Sequence, residues 1–427
     1  MKKVLIIARY FGTRTPGLLK YLPEYGWLPT LLNSSAWPEE VPPGVKSIRT
    51  QHKDSLGFLK KLFGLKSQEE IRIRIRESIG STSAKSISGR LSAFLGQFIN
   101  YPDAEKGWRK YAVEAADELI KQGDIDAIIS SSSPVTCHVV AYELKVKYGI
   151  PWVADLRDLW SQNHNYSYSR LRRLFDKRLE SRVLSAADAM VTVSQPWADK
   201  LGKLYGEKNR YAITNGFDPE NLKLPPINLT EKFTITHTGN IYHGKQEPSG
   251  LFDALAGLTS EKKVDPTDFD VRFYGPRIKQ LENEIASYRL SGIVNQYGVI
   301  PHEEAIQRQR ESQVLLLLDW NSPGETGVYP LKVFEYLAAG RPILATGGVI
   351  GNVIDNLMAE TKAGIHAPTA EDIRTALLKL YHEYKSDGRT RFNGIQSEIA
   401  KYSQREMAAK FAGILERSAL KSKQVMI

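Results

Sequence analysis

Two doubly wound α/β domains in tandem are what this sequence predicts, and three observations predict them. Short apolar runs bounded by turn residues alternate with longer stretches of helical period along most of the 427 residues, the pattern of parallel α/β units. Near the middle the segment "PENLKLPPINLTEK", with Pro219, Pro225 and Pro226, interrupts the series, and a second series starts after it. A hydrophobic content of 42% over this length is enough for two or three separately cored domains.

In the first series "KVLIIARY", "IDAIISS", "PWVADLR" and "DAMVTVS" read as buried strands of one sheet. The second supplies "KFTITHT", "FDVRFYG", "IVNQYGVI", "QVLLLLDW", "PILAT" and "AGIHAP" with helical segments between them. Around six parallel strands so connected make a doubly wound, Rossmann-like domain, with ligands expected at the carboxyl ends of its strands. The expected domains are 1–220 and 221–401, hinged near Asp218 to Lys232 and facing a central cleft. The closing segment 402–427 carries a helix, "QREMAAKFAGILERSAL", that this scheme allows to pack back on the first domain.

Two segments depart from the alternation. From Ser55 to Lys66, Leu56, Leu59, Leu62 and Phe63 share one helical face while Lys60, Lys61 and Lys66 lie elsewhere. An interfacial helix has that pattern, and so does a core helix with a solvated basic face. From Glu69 to Ser78 isoleucine alternates with arginine, which fits a half-exposed strand, although the glutamates also suit a helix start.

Lysine and arginine outnumber the carboxylates 58 to 48, and most of the resulting charge of +10 lies in the N-terminal half. Such a bias favours phosphates, nucleic acid or an anionic membrane. Nucleic acid has charge alone to recommend it and is not expected. Cys137 is the single cysteine, so neither an internal disulfide nor a Cys-based zinc site is expected and a reducing, cytoplasmic compartment fits best. The start "MKKVLIIARYFG" has too short an apolar run for a signal peptide and lacks a small-residue cleavage site. No stretch approaches the roughly 18 apolar residues of a membrane span. No metal is expected, because no His/Glu cluster has zinc spacing, and a Gly-x-Ser-x-Gly elbow is missing too. "VLIIARYFGTRTPG" lacks the Gly-x-Gly-x-x-Gly of a dehydrogenase.

The richest motif is "GVYPLKVFEYLAAGRPILAT", Gly327 to Thr346. A strand delivers the chain to a glycine-bearing loop, Pro330 suits a first helical position, and Gly340 with Pro342 ends the helix. Leu331, Phe334, Leu337 and Ala338 are expected on its core-facing stripe, with Lys332 and Glu335 on another face near the open end. A cation there costs about 0.3–1 kcal/mol against the helix dipole, a sign that a bound diphosphate reverses. A solvent-exposed Lys–Glu pair is the alternative. A second such loop, "GNIYHGKQEPSG", follows "TITHT" and offers Gly239 for a tight exit and Lys245 to a phosphate.

"TGN" with Lys245, "YGP" at Tyr274 to Pro276, "GVIPHEE" and "YPLKVFEYLAAGRPILA" resemble the C-terminal donor domain of family-4 retaining glycosyltransferases, which have the GT-B fold. "KYLPEYGWLPTLL", "YGIPWVADLRDLW", "VTVSQPWADKL" and "TNGFDPE" resemble the acceptor domain of the bacterial surface-polysaccharide branch. The resemblance touches nearly the whole chain and is weakest from Ser47 to Phe98. It implies transfer from a nucleotide-diphosphosugar, UDP- or GDP-linked, to a lipid-linked or saccharide acceptor without a metal or other cofactor. Glu335 matches the second glutamate of the family's Glu-x7-Glu motif and is expected on the ribose hydroxyls. Lys245 matches the basic residue that neutralises the diphosphate, with backbone N–H groups around Val328, Tyr329 and Leu331 cradling the same group. Asn240 stands where many members have a second basic residue, so Lys332 or Arg277 is expected to supply that charge. The first motif glutamate is replaced by Gly327, and the nearest carboxylate, Glu325, comes two residues early.

In the first half, Asp155, Arg157 and Asp158 close a strand, where a charged triplet can position an acceptor hydroxyl or form a structural salt bridge. Gly12 and Arg14, after the first strand, resemble the family's diphosphate-facing residues. Asn215 and Asp218 resemble its hinge signature. His138 follows Ser133 and Pro134, which look like a helix start, and reads as a packed helix residue ahead of a catalytic one. The basic stretch 55–76 motivates an anionic membrane partner at the inner membrane face. A nucleotide-sugar 2-epimerase and a non-catalytic sugar-nucleotide scaffold are the other readings, both prompted by Gly327.

Overall fold

The computed structural model describes residues 1–9, 12–34, 41–53, 97–98, 100–206, 209–322 and 324–425, with side chains to 420. The expectations for 55–66, 69–78 and 55–76 therefore lie outside the described residues. The chain divides into two compact units, one of residues 1–214 with 407–427 and one of 215–406.

The first unit is built on seven strands: β1 Lys2–Ala8, β2 Trp27–Ser34, β3 Lys46–Thr50, β4 Ala127–Ser132, β5 Trp152–Leu156, β6 Ala189–Thr192 and β7 Arg210–Ala212. All pair in parallel in the order β3-β2-β1-β4-β5-β6-β7. The four expected strands are β1, β4, β5 and β6. The other three carry weaker signals: Pro29 interrupts β2, β3 is a half-exposed edge strand, and β7 has only three residues. Pro29 lies just before Thr30, where pairing with β3 begins. Val4, Ile6 and Ala8 of β1 share a core with Met407, Phe411 and Leu415 of the closing helix Gln404–Val425.

The second unit holds β8 Phe233–Thr238, β9 Phe269–Tyr274, β10 Val294–Gly298, β11 Val314–Leu318, β12 Ile343–Thr346 and β13 Gly364–Ala367. They match the six expected runs and pair in parallel in the order β10-β9-β8-β11-β12-β13. The apolar run "VLLLL" of β11 alternates between two cores: Val314, Leu316 and Leu318 join one, Leu315 and Leu317 the other. A strand covered on both faces needs that continuous apolar run. Each fully buried leucine contributes about 1.5–3 kcal/mol.

The unit boundaries fall at Thr214/Asn215 and Glu406/Met407, a few residues from the expected 220/221 and 401/402. Phe217 is the reason. It is buried in the second unit's core, donates its N–H to the Tyr402 carbonyl and accepts from the Gln404 N–H. The segment after it is tied to that unit as well, since Thr230 N–H donates to the Glu311 carbonyl and Tyr384 Oη to that of Glu231. Among the described residues no helix is long and apolar enough to cross a membrane.

Candidate functional site

In each sheet the strand order reverses direction once, between β1 and β4 and between β8 and β11, and such switch points open a crevice at the carboxyl ends of the strands. Register pairs between β8 and β11 are confined to Ile235 with Val314 and Thr236 with Leu315. Beyond them side chains bridge the parting strands. His237 Nδ1 lies 3.0 Å from the Leu316 carbonyl, which can only accept, so Nδ1 carries the proton and Nε2 presents its lone pair. Gln246 Nε2 donates to the Leu318 carbonyl at 2.7 Å.

Lys332 reaches this gap from the helix Lys332–Ala339, whose first residue it is. Its Nζ donates to His237 Nε2 at 3.0 Å and to the Asn240 carbonyl at 3.0 Å. Burial pushes the ammonium down to about 7, with Glu335 acting weakly the other way. His237 is driven well below its usual range by burial first and by Lys332 second. A neutral imidazole and a carbonyl thus hold a lysine on the edge of losing its proton, and an arriving anion would shift it back to the charged form. Gly239, at φ 94°, makes the turn over the amine: a Cβ there would sit 3.4 Å from Lys332 Cε. Gly275 allows the loops after β8 and β9 to meet, since a Cβ there would come within 2.4 Å of the Gly239 carbonyl oxygen. A small open hollow beside them is lined by His237, Gly239, Phe273, Tyr274, Gly275 and Gln296 among others. The Gln296 amide is already committed to both backbone groups of Ile278.

Glu335 is half-buried one turn on, and its Oε2 accepts from Gln309 Nε2 at 3.1 Å. That amide also donates to Thr238 Oγ1 at 3.0 Å, while Tyr336 Oη accepts from the Thr238 N–H at 2.9 Å. The carboxylate is therefore oriented from β8. Lys245 is anchored apart from this group: its Nζ donates to Ser322 Oγ at 3.3 Å in the loop after β11, and its carbonyl accepts from the Asn321 N–H. Asn240 is exposed and contributes its carbonyl to Lys332. Val328 and Tyr329 are half-buried, with the Tyr329 ring 5.6 Å from Phe334 and so turned to the core. Leu331 corrects the expected stripe. It is 50% exposed at the cap position, and Val333 and Tyr336 fill the core alongside Phe334, Leu337 and Ala338. Glu325 is buried, with Oε1 accepting the Gly327 N–H at 3.0 Å. A carboxylate thus stands beside position 327 although no side chain extends from it.

In the first unit Gly12 and Arg157 meet, a Cβ at Gly12 falling 2.7 Å from an Arg157 terminal nitrogen. Arg157 lies at the carboxyl end of β4, donating to the carbonyls of Ser132 at 2.8 Å and Ser133 at 3.1 Å. Asp158 is half-buried next to it. Arg14 departs from expectation, and Asp155 takes the structural salt-bridge alternative with it. Both are buried and ion-paired at 3.1 Å, Arg14 also donates to the Ile213 carbonyl and lies over the Phe411 ring, and Asp155 accepts from Ser131 Oγ. Arg14 faces its own core, where a diphosphate cannot reach it. His138 is buried against Ser130 Oγ, and burial lowers it to about 3, so it stays neutral. Asp218 caps the turn Pro219–Lys223 and Asn215 is buried, both structural places.

Several of these residues escape sequence reasoning. His237 sits inside a strand and gives no signal beyond an imidazole among threonines; Gln309 is a polar residue on a highly charged helix. A further cluster closes the ends of β11, β12 and β13, where His366 lies 3.5 Å from Asp319 and 3.2 Å from Asp355, and Asp319 accepts from Asn352 at 2.7 Å. Burial opposes charge on His366, but Asp319, the Gly347 carbonyl and Asp355 outweigh it and raise its pKa. Among the described residues no group of three or more His, Cys, Asp or Glu side chains is placed to hold a metal ion.

Residues 91–221 match the model of Glycosyltransferase Family 4. No curated protein matches by sequence. Among solved structures the chain is similar to the lipopolysaccharide outer core galactosyltransferase WaaB, at 12% identity over 99% of this chain and 100% of that one, TM-score 0.56. It is similar to S. aureus TarM, solved with fondaparinux, alpha-GlcNAc-glycerol and UDP, at 10% identity over 97% and 100%, TM-score 0.58. A structure described as trehalose-6-phosphate from E. coli, bound with UDP-2-fluoro glucose, aligns at 12% identity over 97% and 99%, TM-score 0.58. Identities this low speak to the fold, and the fold is GT-B. The matched segment and the two Rossmann-like units together support a family-4-like glycosyltransferase.

Proposed function

We propose that the protein is a retaining glycosyltransferase of surface-polysaccharide assembly. It moves a sugar from a UDP- or GDP-linked donor to a lipid-linked or saccharide acceptor at the cytoplasmic face of the inner membrane. The observation that carries the reading is Lys332, held by His237 and Asn240 at a helix N-terminus beside two glycine loops of a switch point. The UDP in complex with TarM and the UDP-sugar bound in the E. coli structure support a nucleotide-sugar donor. The lipopolysaccharide galactosyltransferase WaaB supports the polysaccharide branch.

Leaving-group departure builds negative charge on the β-phosphate. Lys332, protonated as the donor binds, stabilises that charge with Lys245 and the first N–H groups of the helix, more in the transition state than in the ground state. These groups supply the positive charge without a metal or other cofactor. Glu335, aimed by Gln309, holds the ribose hydroxyls, and Glu325 takes over the neighbourhood of the missing first glutamate. Arg157, with Gly12 against it, and Asp158 orient the acceptor hydroxyl. Same-face attack, with the departing phosphate assisting deprotonation, gives retention. Residues 55–76 offer an anionic membrane a basic contact.

Thermal-shift profiling against nucleoside diphosphates and nucleotide sugars tests the reading. A rise in melting temperature with one UDP or GDP compound, lost in Lys332→Met and Glu335→Ala, is expected. Isomerisation of the sugar without acceptor would replace transfer with epimerisation, and equal responses in the variants would remove the site.

A further inference from the structure

The helix Arg170–Leu184 is turned inside out. Arg172, Asp176 and Glu180, one turn apart, are buried, while Leu171, Leu174 and Phe175 are 45%, 59% and 44% exposed. Ordinary amphipathic burial would put the leucines and phenylalanine inward and the charges outward. The opposite orientation is held by specific bonds. Arg172 pairs with Asp176 at 3.1 Å, donates to the carbonyls of Gln97 and Pro102, and lies between the rings of Tyr101 and Tyr168 at 4.8 and 4.6 Å. Glu180 accepts from the Ser161 N–H at 3.0 Å. Desolvating three charged groups costs free energy, so the exposed apolar face is imposed by the fold against the hydrophobic effect.

The exposed charge on the helix has one sign. Arg170, Arg173, Lys177, Arg178 and Arg182 are exposed, and the two carboxylates of the helix, Asp176 and Glu180, are both buried. At 100° per residue Leu171, Leu174, Phe175, Arg178 and Arg182 share a single stripe. Arg170 and Lys177 flank the stripe on one side, whereas Arg173 is turned away and lies over the Tyr166 ring at 4.4 Å. Apolar tips among and beside cations, with no exposed carboxylate on the helix, are complementary to a polyanionic surface with an apolar interior. Tyr168, 37% exposed at the start of the helix, has the amphipathic ring that suits a headgroup zone.

We propose that this helix is a docking surface for an anionic lipid bilayer, with Leu171, Leu174 and Phe175 entering the headgroup boundary and Arg170, Lys177, Arg178 and Arg182 meeting lipid phosphates. The surface is separate from residues 55–76 and independent of the sugar-transfer reading.

Flotation of the full chain with phosphatidylcholine vesicles, with and without phosphatidylglycerol, tests it. The chain is expected to float with the anionic vesicles at low salt and to stay behind with the neutral ones. Lys177→Glu with Arg178→Glu should lower partitioning by at least roughly 25-fold, taking about fivefold for each basic side chain near an anionic surface. Leu174→Ser with Phe175→Ser should lower it by at least about tenfold. Unchanged circular dichroism and melting of both variants confirm that they fold. Wild-type levels of binding in both variants, equal binding to neutral vesicles, or no vesicle binding at all would overturn the proposal. So would a dimer of the chain, seen by light scattering, that Leu174→Ser with Phe175→Ser dissociates while vesicle binding stays at the wild-type level.

Discussion

Arg14 and Lys332 are each the first residue of a helix beside a sheet switch point, and each puts a cation where the helix dipole disfavours one. The two units resolve the conflict differently. Burial lowers the pKa of Arg14 as well, but a guanidinium stays charged and here buries a carboxylate partner, Asp155, that opposes the shift. Lys332 has a neutral imidazole and a carbonyl for partners and is pushed towards losing its proton. A cation neutralised from within serves the fold, whereas one left without a hydrogen-bonded carboxylate is poised for an anion from outside.

The largest expected effect breaks the first half of that contrast. Arg14→Met leaves Asp155 buried without its partner and should cost about 3–5 kcal/mol in urea unfolding of the full chain. A loss under about 1 kcal/mol by the same order-of-magnitude reasoning would mean that the pair is not structural. Lys332→Met should behave in the opposite way. Donor affinity should fall roughly 10–100-fold, the value of a charge-assisted hydrogen bond of about 1.5–3 kcal/mol, while urea stability holds or rises below pH 7.

That sign follows from linkage. The lysine pKa falls from about 10.4 unfolded to about 7 folded. The penalty for burying the charge is therefore complete below pH 7 and eases as pH rises towards the unfolded value. Removing the amine removes the penalty. Smaller in scale, Gly275→Ala forces the loops after β8 and β9 apart and should cost about 1–3 kcal/mol, read as a lower melting temperature with weakened donor binding. Smallest is Gln309→Ala. It frees the Glu335 carboxylate and should weaken donor binding several-fold, about 1 kcal/mol, with a smaller fall in melting temperature than Gly275→Ala.

The second sheet is legible strand by strand because β11 and β12 are buried throughout and read as apolar runs, as "VLLLL" does, while β8 and β9 alternate apolar with polar residues. The first sheet is half legible: Pro29 in β2 and the short edges β3 and β7 carry too little apolar period to register. Lys332 stands out from the sequence because its place on a helix start conflicts with the dipole, a local rule. Arg14 conflicts in the same way, but its partner Asp155 lies 141 positions further along the chain, and only the parallel pairing of the strands brings the two together. His237 and Gln309 are hidden for the same reason, since each acquires its role from a residue on another element. Leu331 is misread because a helical stripe extends one residue too far, to the cap, where the side chain points outward.

Proton uptake on donor binding distinguishes a lysine poised to gain its proton from one that is already charged. Calorimetric titration with a nucleotide sugar, whose diphosphate diester has no group titrating near neutrality, would be run at pH 8 in two buffers of different ionisation enthalpy. Lys332, largely neutral in the free protein at that pH, should take up close to one proton as the diphosphate arrives. Affinity should fall by up to about tenfold per pH unit above 7, and both effects should vanish in Lys332→Met. Binding with no proton uptake, or with the same uptake in Lys332→Met, would contradict the account.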